Sequence, residues 1–173
     1  LKRLHKLIRT STAYRQQLRR DPKHDKIDPD NRLLGGMPLR RLEAEAIRDS
    51  VLAVSGRLNS EQFGLPIFPP LPGDLAERVK YSNSKWDTQY GPEGRKRSIY
   101  IYQQRSLSMP FMQAFDALGC EQSRPKRRSS VTPLQALAMY NGRFVNQEAI
   151  HFAARVRTLA GEAASAQIDV AFQ

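Results

Sequence analysis

Glu45 lies three residues before Arg48 and four before Asp49, the spacing that sets side chains on one face of a helix. Two carboxylates so placed can act as general acid and general base if their surroundings split their pKa values, with the arginine holding an anionic substrate. The same trio can close on itself as a structural ion-pair network, and that is the reading favoured here. Asp25, Asp28, Asp30 and Asn31 offer the hard oxygens that Ca²⁺ takes. Counted from Asp28, however, the sixth position is Leu33 instead of glycine and the twelfth is Leu39 instead of Glu. The calcium-loop pattern fails, and Asp-Pro and Asp-Asn read as ordinary turns. His5, His24 and His151 are far apart and lack companions at metal-ligand spacing, so no metal site is expected. The single cysteine, Cys120, excludes an internal disulfide framework and a Cys-rich zinc cluster; with no base beside it, it reads as a packing thiol.

The elements that must position these groups are helical. Leu4, Leu7, Ile8, Tyr14 and Leu18 recur at helical spacing and predict a helix over 1–19, interruptible at Thr10–Thr12. Asp21-Pro22 reads as its stop, and 21–38 as loop. After Pro38, the stripe Leu39, Leu42, Ala46, Ile47, Val51 and Val54 predicts a helix ending at Ser55-Gly56, with Leu42, Ala46 and Ile47 buried. Arg41/Glu45 and Glu45/Arg48 are expected to pair on its surface. Five of the eleven prolines (Pro66, Pro69, Pro70, Pro72, Pro92) make 60–94 a long irregular loop, pinned by Tyr81, Trp86 and Tyr90. Ser98–Tyr102 alternates β-branched and aromatic residues and reads as a short strand paired near Val79–Tyr81 or with the loop. Helices follow at 109–118, from Pro133 to Asn141 with Thr132 as N-cap, at 144–159 and at 163–172. The expected fold is mainly α, a helical domain with a long proline-rich loop and at most a small β element. Its expected organisation is a single domain over 1–160 and a helical tail over 161–173. No signal-peptide pattern and no membrane-length apolar run is read, and the start at Leu1 is taken as that of a fragment of a longer chain.

The net charge of +11 is concentrated. Residues 1–20 carry seven Lys/Arg and no acid, residues 95–128 carry a net +6, and the remainder sums to −2. Such segregation suits an anionic partner or an anionic neighbouring domain. Lys126, Arg127 and Arg128 lie in a Ser-bearing loop, 124–130, and are candidate binding residues. Nucleic acid is not the partner expected, since helix-turn-helix spacing, aromatic RNA-binding patterns and Cys/His fingers are missing.

Thr132-Pro-Leu-Gln-Ala-Leu137 with Asn141, Phe144 and Val145 resembles the signature near the C-terminal end of a planctomycete extracytoplasmic domain, domain of unknown function 1553. Lys2-Arg-Leu-His5, Ser11–Gln16, Asp28–Leu33, Arg41–Asp49, Arg97–Tyr100, Arg105 and Phe115-Asp116 resemble its other blocks in order, over roughly residues 1–150. The family pattern adds Asp116, Arg97 and Arg105 to the Glu45–Arg48–Asp49 trio. The resemblance implies an exported, multidomain protein whose domain commonly follows a cytochrome c module. Any haem belongs to that module, and no cofactor is expected in this chain.

The function expected is that of an accessory or interaction domain, with neighbouring domains of the parent chain and an anionic polysaccharide as partners. The alternatives are an enzyme of carbohydrate or sulfate-ester metabolism using Glu45, Asp49 and Asp116, and a nucleic-acid-binding domain. Catalytic convergence of the carboxylates with Arg48 in a deep pocket would favour the enzyme.

Overall fold

The computed structural model describes residues 1–18, 22–38, 40–81, 86–105, 107–119 and 125–172. About half of the chain is helical, and no strand or sheet forms among the described residues. Two compact units divide it, residues 1–41 and 42–173.

The first unit holds α1 (Lys2–Thr10) and α2 (Pro22–Ile27). α1 buries none of its residues, and it stops at Thr10. Thr10 and Ser11 turn their hydroxyls onto the carbonyls of Lys6 and Ile8, local bonds that compete with continuing the helix. The expected helix over 1–19 is therefore half as long. α2 replaces a predicted loop because Pro22 opens a helix: a missing N–H costs nothing in the first turn. Downstream, both carboxylate oxygens of Asp28 accept backbone amides, Arg32 N at 2.9 Å and Leu33 N at 2.7 Å. This is the turn chemistry of an Asp-Pro-Asp-Asn segment.

The second unit carries α3 (Ala44–Val54), α4 (Gly73–Tyr81), α5 (Pro110–Ala114), α6 (Pro133–Asn141), α7 (Arg143–Ala160) and α8 (Ala164–Ala171). α8 packs on α7, so residues 161–172 continue this unit. The core gathers Ala44, Ile67, Trp86, Ile101, Leu107, Met112 and Phe115. α3 begins only after Glu43, which leaves Leu42 ahead of the helix and 56% exposed. The buried row is instead Ala44, Arg48 and Leu52, with Ala46 and Ile47 half-buried beside it. The stripe read from the sequence was displaced because it treated Arg48 as a surface residue. Gly56 ends α3 at φ +77°, a backbone conformation that suits glycine, and the amides of Arg57 and Leu58 both return to Leu52 O.

α4 was not expected within the proline-rich region. Pro72 precedes its first turn and its carbonyl accepts from Leu75 and Ala76, so the prolines frame a proline-free helix. The predicted strand at 98–102 is a 3-10 turn over Ser98–Tyr100. Only Ile101 makes a bridge, parallel to Ile67: Ile67 N donates to Tyr100 O and Tyr102 N donates to Ile67 O. The expected strand is thus reduced to one bridge with the loop. Trp86 does pin that loop, donating Nε1–H to Pro69 O at 3.0 Å and meeting Phe68 edge-on, whereas Tyr90 is 77% exposed and does not. The side chain of Tyr81, and Cys120, lie outside the described residues.

α5 stops at Ala114, short of the expected Leu118, because Asp116 takes φ +60°. Thr132 caps α6 as expected: Pro133 follows, and a capping box forms with Gln135, whose carbonyl accepts Thr132 N–H at 3.4 Å.

Leu52 is fully buried, so Leu52→Ala should lower the unfolding free energy by about 2–4 kcal/mol in chemical denaturation. Leu42→Ala should stay within about 0.5 kcal/mol. Equal losses at the two positions would contradict the displaced stripe.

Candidate functional site

Arg48 reaches the core from the buried face of α3, and its side chain is only 3% exposed. It survives there because the peptide around 94–98 is laid out as its receptor. One guanidinium nitrogen donates to Gly94 O at 2.9 Å, and the other to Lys96 O at 3.2 Å and Ser98 Oγ at 3.1 Å. Its Cζ stands 5.8 Å from the centre of the Phe144 ring. Burial pulls the guanidinium down to about 10, while the charges of Asp49 and Glu148 act to raise it; it stays cationic at neutral pH. Gly94 is required at the contact, since a Cβ there would fall 2.1 Å from Gln89 O.

Asp49 faces the same segment from the next position. Its Oδ1 accepts Ser98 N–H and the Ser98 hydroxyl, both at 2.7 Å, and thus caps the 3-10 turn. Ser98 thereby links Asp49 to Arg48, donating to one and accepting from the other. Arg97 Nε stands 3.6 Å from Asp49 Oδ2, with its own side chain mostly exposed.

The other expected site residues are elsewhere. Glu45 points to Arg127, which lies 2.6 Å away and also 3.4 Å from Glu43. The predicted surface pair of Glu45 with Arg48 does not form, because Arg48 turns inward. Burial pushes the Glu45 carboxyl up, but the hydrogen bond from Arg127, a backbone hydrogen bond and the Arg127 charge together hold it below the ordinary value. Asp116 accepts Ser130 N–H at 2.8 Å and the Ser130 hydroxyl. Gln135 Nε2 donates to Ser130 O at 3.1 Å, so Asp116 fastens the end of α5 to the start of α6. Arg105, Lys126 and Arg128 are exposed. Glu45, Asp49 and Asp116 therefore sit in three separate networks and do not converge.

What the sequence reading passed over is a cavity of about 320 Å³ beside Arg48. None of the three candidate carboxylates lines it. Its acidic group is Glu148 of α7, which accepts the Ser55 hydroxyl at 2.7 Å and pairs with Arg57 at 3.2 Å. Arg95 and Arg143 also line it. The signal for Glu148 was present: Phe144, Glu148 and Phe152 recur every four residues, an acid within an apolar row. Arg155 extends the clamp, donating to Ala53 O and Val54 O at 2.9 Å each and so capping the C-terminal end of α3.

Fold and site together define a helical domain organised around a buried arginine, with an arginine-lined cavity at its side. The family model described as PSD1, protein of unknown function (DUF1553), matches residues 1–173, and the chain belongs to that family. The match extends past the roughly 1–150 recognised from motifs and takes in α8. No curated protein and no solved structure matches the chain. No helix among the described residues is long and apolar enough to cross a membrane.

Removing Arg48 strands the buried carbonyls of Gly94 and Lys96, so Arg48→Met should cost about 3–5 kcal/mol of stability by denaturant titration. Arg48→Lys keeps the charge but not the two-nitrogen fork and should still cost about 1–3 kcal/mol. A lysine variant as stable as the wild type would show that charge alone matters.

Glu45 gives a pH signature. Its folded carboxyl binds its proton less tightly than the unfolded one, so its stabilisation is full above the unfolded value of 4.5 and fades as the pH falls through the lower folded value. The stability gap between wild type and Glu45→Gln should therefore be about 0.5–1 kcal/mol at pH 7 and close by about pH 3. A gap that is constant with pH would rule out the Arg127 pairing as its source.

Proposed function

We propose that this chain is an accessory interaction domain of an exported multidomain protein, holding neighbouring domains of its parent chain and an anionic polysaccharide. The observation that carries the reading is the amount of apolar helix surface left open. Leu4, Leu7 and Ile8 of α1 and Leu134, Leu137 and Tyr140 of α6 are exposed, although they lie at the spacings that normally face a core. Contiguous apolar faces on a folded domain mark contact sites for other polypeptide. Positioned carboxylates do not offer a competing catalytic reading, since Glu45, Asp49 and Asp116 are each engaged in holding segments together. The resemblance to an extracytoplasmic family supplies the exported setting and the association with a cytochrome c module.

The anionic polysaccharide is the partner that the free basic residues fit. Lys126, Arg128 and Arg105 are exposed, and the helix α1 adds Lys2, Arg3, Lys6 and Arg9. Arg127 is the exception within its loop, because Glu43 and Glu45 already hold it.

Heparin, a sulfated polysaccharide, tests this. The chain should be retained at low salt and elute as salt rises, by counterion release. Lys126→Glu with Arg128→Glu should elute earlier and with a shallower salt dependence, while the melting temperature is unchanged. Passage of the wild type without retention would remove the polyanion from the proposal and leave docking to neighbouring domains. That remaining part predicts that Leu134→Glu with Leu137→Glu leaves stability within about 0.5 kcal/mol yet abolishes association with the adjacent domain. Unchanged association would defeat it.

A further inference from the structure

The cavity beside Arg48 combines two features that no other part of the described chain joins: rigid apolar walls and cations without counter-charges. Pro69, Pro70 and Pro72 line it, together with the rings of Phe111 and Phe144. Phe111 and Phe144 meet edge to face at 5.4 Å, which sets their rings in place. Four arginines border the hollow, with Glu148 the acid among its lining residues. Arg48 is spent on Gly94, Lys96 and Ser98, and Arg57 is spent on Glu148. Arg95 and Arg143 remain. Arg95 Nε is buried with no hydrogen-bond partner, and Arg143, the first residue of α7, makes no side-chain hydrogen bond or ion pair among the described residues.

A buried N–H without an acceptor is costly, and a fold keeps one where something else satisfies it. The cavity volume lies within the range that small organic ligands occupy. We propose that the cavity is a binding site for a small ring-bearing organic carboxylate. The acid group is held by Arg95 and Arg143, and the ring lies between the proline wall and the phenylalanines. The carboxylate supplies the acceptors that a guanidinium fork matches. The walls favour a flat apolar ring over a polyhydroxylated one, because the uncharged polar groups at hand are few. Gln89 already uses its carbonyl oxygen on Phe68 N–H, which leaves its amide, Gln147 and Tyr90. This site is separate from the exposed basic residues offered to a polysaccharide, so either can fail without the other.

Three probes separate the contributions: benzoate, its neutral isostere benzamide, and acetate, which keeps the charge without the ring. Calorimetric titration of the whole chain should show saturable benzoate binding in the millimolar range or tighter. Benzamide and acetate should each bind about tenfold more weakly or worse, the loss of one charge-assisted contact or of the ring's buried area. Amide NMR shifts on benzoate addition should centre on Gly94 and Gln147 and spare Lys126 and Arg128. Arg143→Gln, at an exposed position, should weaken benzoate about tenfold while leaving benzamide and the melting temperature unchanged. Arg95→Met should do the same; if it unfolds, Arg143→Gln alone decides. The proposal is overturned if benzoate fails to saturate, if benzamide binds as well as benzoate, if the shifts fall outside the cavity, or if folded Arg143→Gln binds benzoate like the wild type.

Discussion

The guanidinium of Arg48 is the constraint on which the second unit depends. A charge this deeply buried is tolerated only when its donors are met, and three acceptors meet it: two carbonyls and a hydroxyl, all from residues 94–98. Those acceptors must converge on one guanidinium, which a pleated strand cannot arrange because it holds carbonyls two residues apart roughly 6.6 Å from each other. The segment accordingly turns, first at Glu93–Arg95 and again at Ser98–Tyr100, with Lys96 and Arg97 between. Gly94 lets the first turn press against Gln89, and Asp49 caps the second. Isoleucine and tyrosine at 99–102 would otherwise favour a strand. Satisfying the arginine outweighs that local preference.

The C-terminal end of α3 obeys a related rule with the charges reversed. Ser55 and Arg57 converge on the buried carboxylate of Glu148, and Arg155 covers carbonyls that the helix leaves open. One helix thus offers a cation to a loop on its buried face and ends on an anion from α7. These polar contacts fix geometry more than they stabilise. Burying ions is expensive, and the same volume could be filled by apolar side chains at no loss. The gain is a single arrangement of α3, the 94–98 segment and α7, which border the cavity together with the proline segment and α5.

How far the sequence disclosed this depended on whether a feature was local. Thr132-Pro133 announced the start of α6, Ser55-Gly56 the end of α3, and Asn141-Gly142 the break before α7, because capping is decided within a few residues. The helical class followed from periodicity for the same reason. The misplaced elements had non-local causes. Proline density concealed α4, although the helix lies between prolines and contains none. Leu42 looked like part of a stripe until Glu43 proved to be the N-cap. Glu45, Arg48 and Asp49 were read as one ion-pair network, but only Arg48 and Asp49 come together, and the partners of the trio, Arg127 and residues 94–98, lie 46 to 82 residues away. No spacing rule could supply them. Arg95 and Arg143 escaped notice altogether, since neither stands in a pattern and only the fold makes them neighbours of one cavity.

The charge of the chain therefore divides by role and not by position. Residues 95–128 look like one basic block, yet their side chains do different things. Lys96 is buried against Glu61 and Phe63 O, Arg127 is tied to two glutamates, and Arg97 leans on Asp49. Arg105, Lys126 and Arg128 face solvent, and Arg95, with one buried and unpartnered nitrogen, borders the cavity. A field that attracts a polyanion arises from the exposed members, whereas the paired ones are largely neutralised at close range. Net charge alone thus overstates the surface available to a partner and says nothing of the cavity. An enclosed arginine works over a few ångströms on a single acid group, where salt screens it little. Exposed lysines and arginines work collectively and fade with ionic strength. The two proposed kinds of anion recognition are thus told apart by where the unpaired cation lies, bordering the cavity or exposed on the surface.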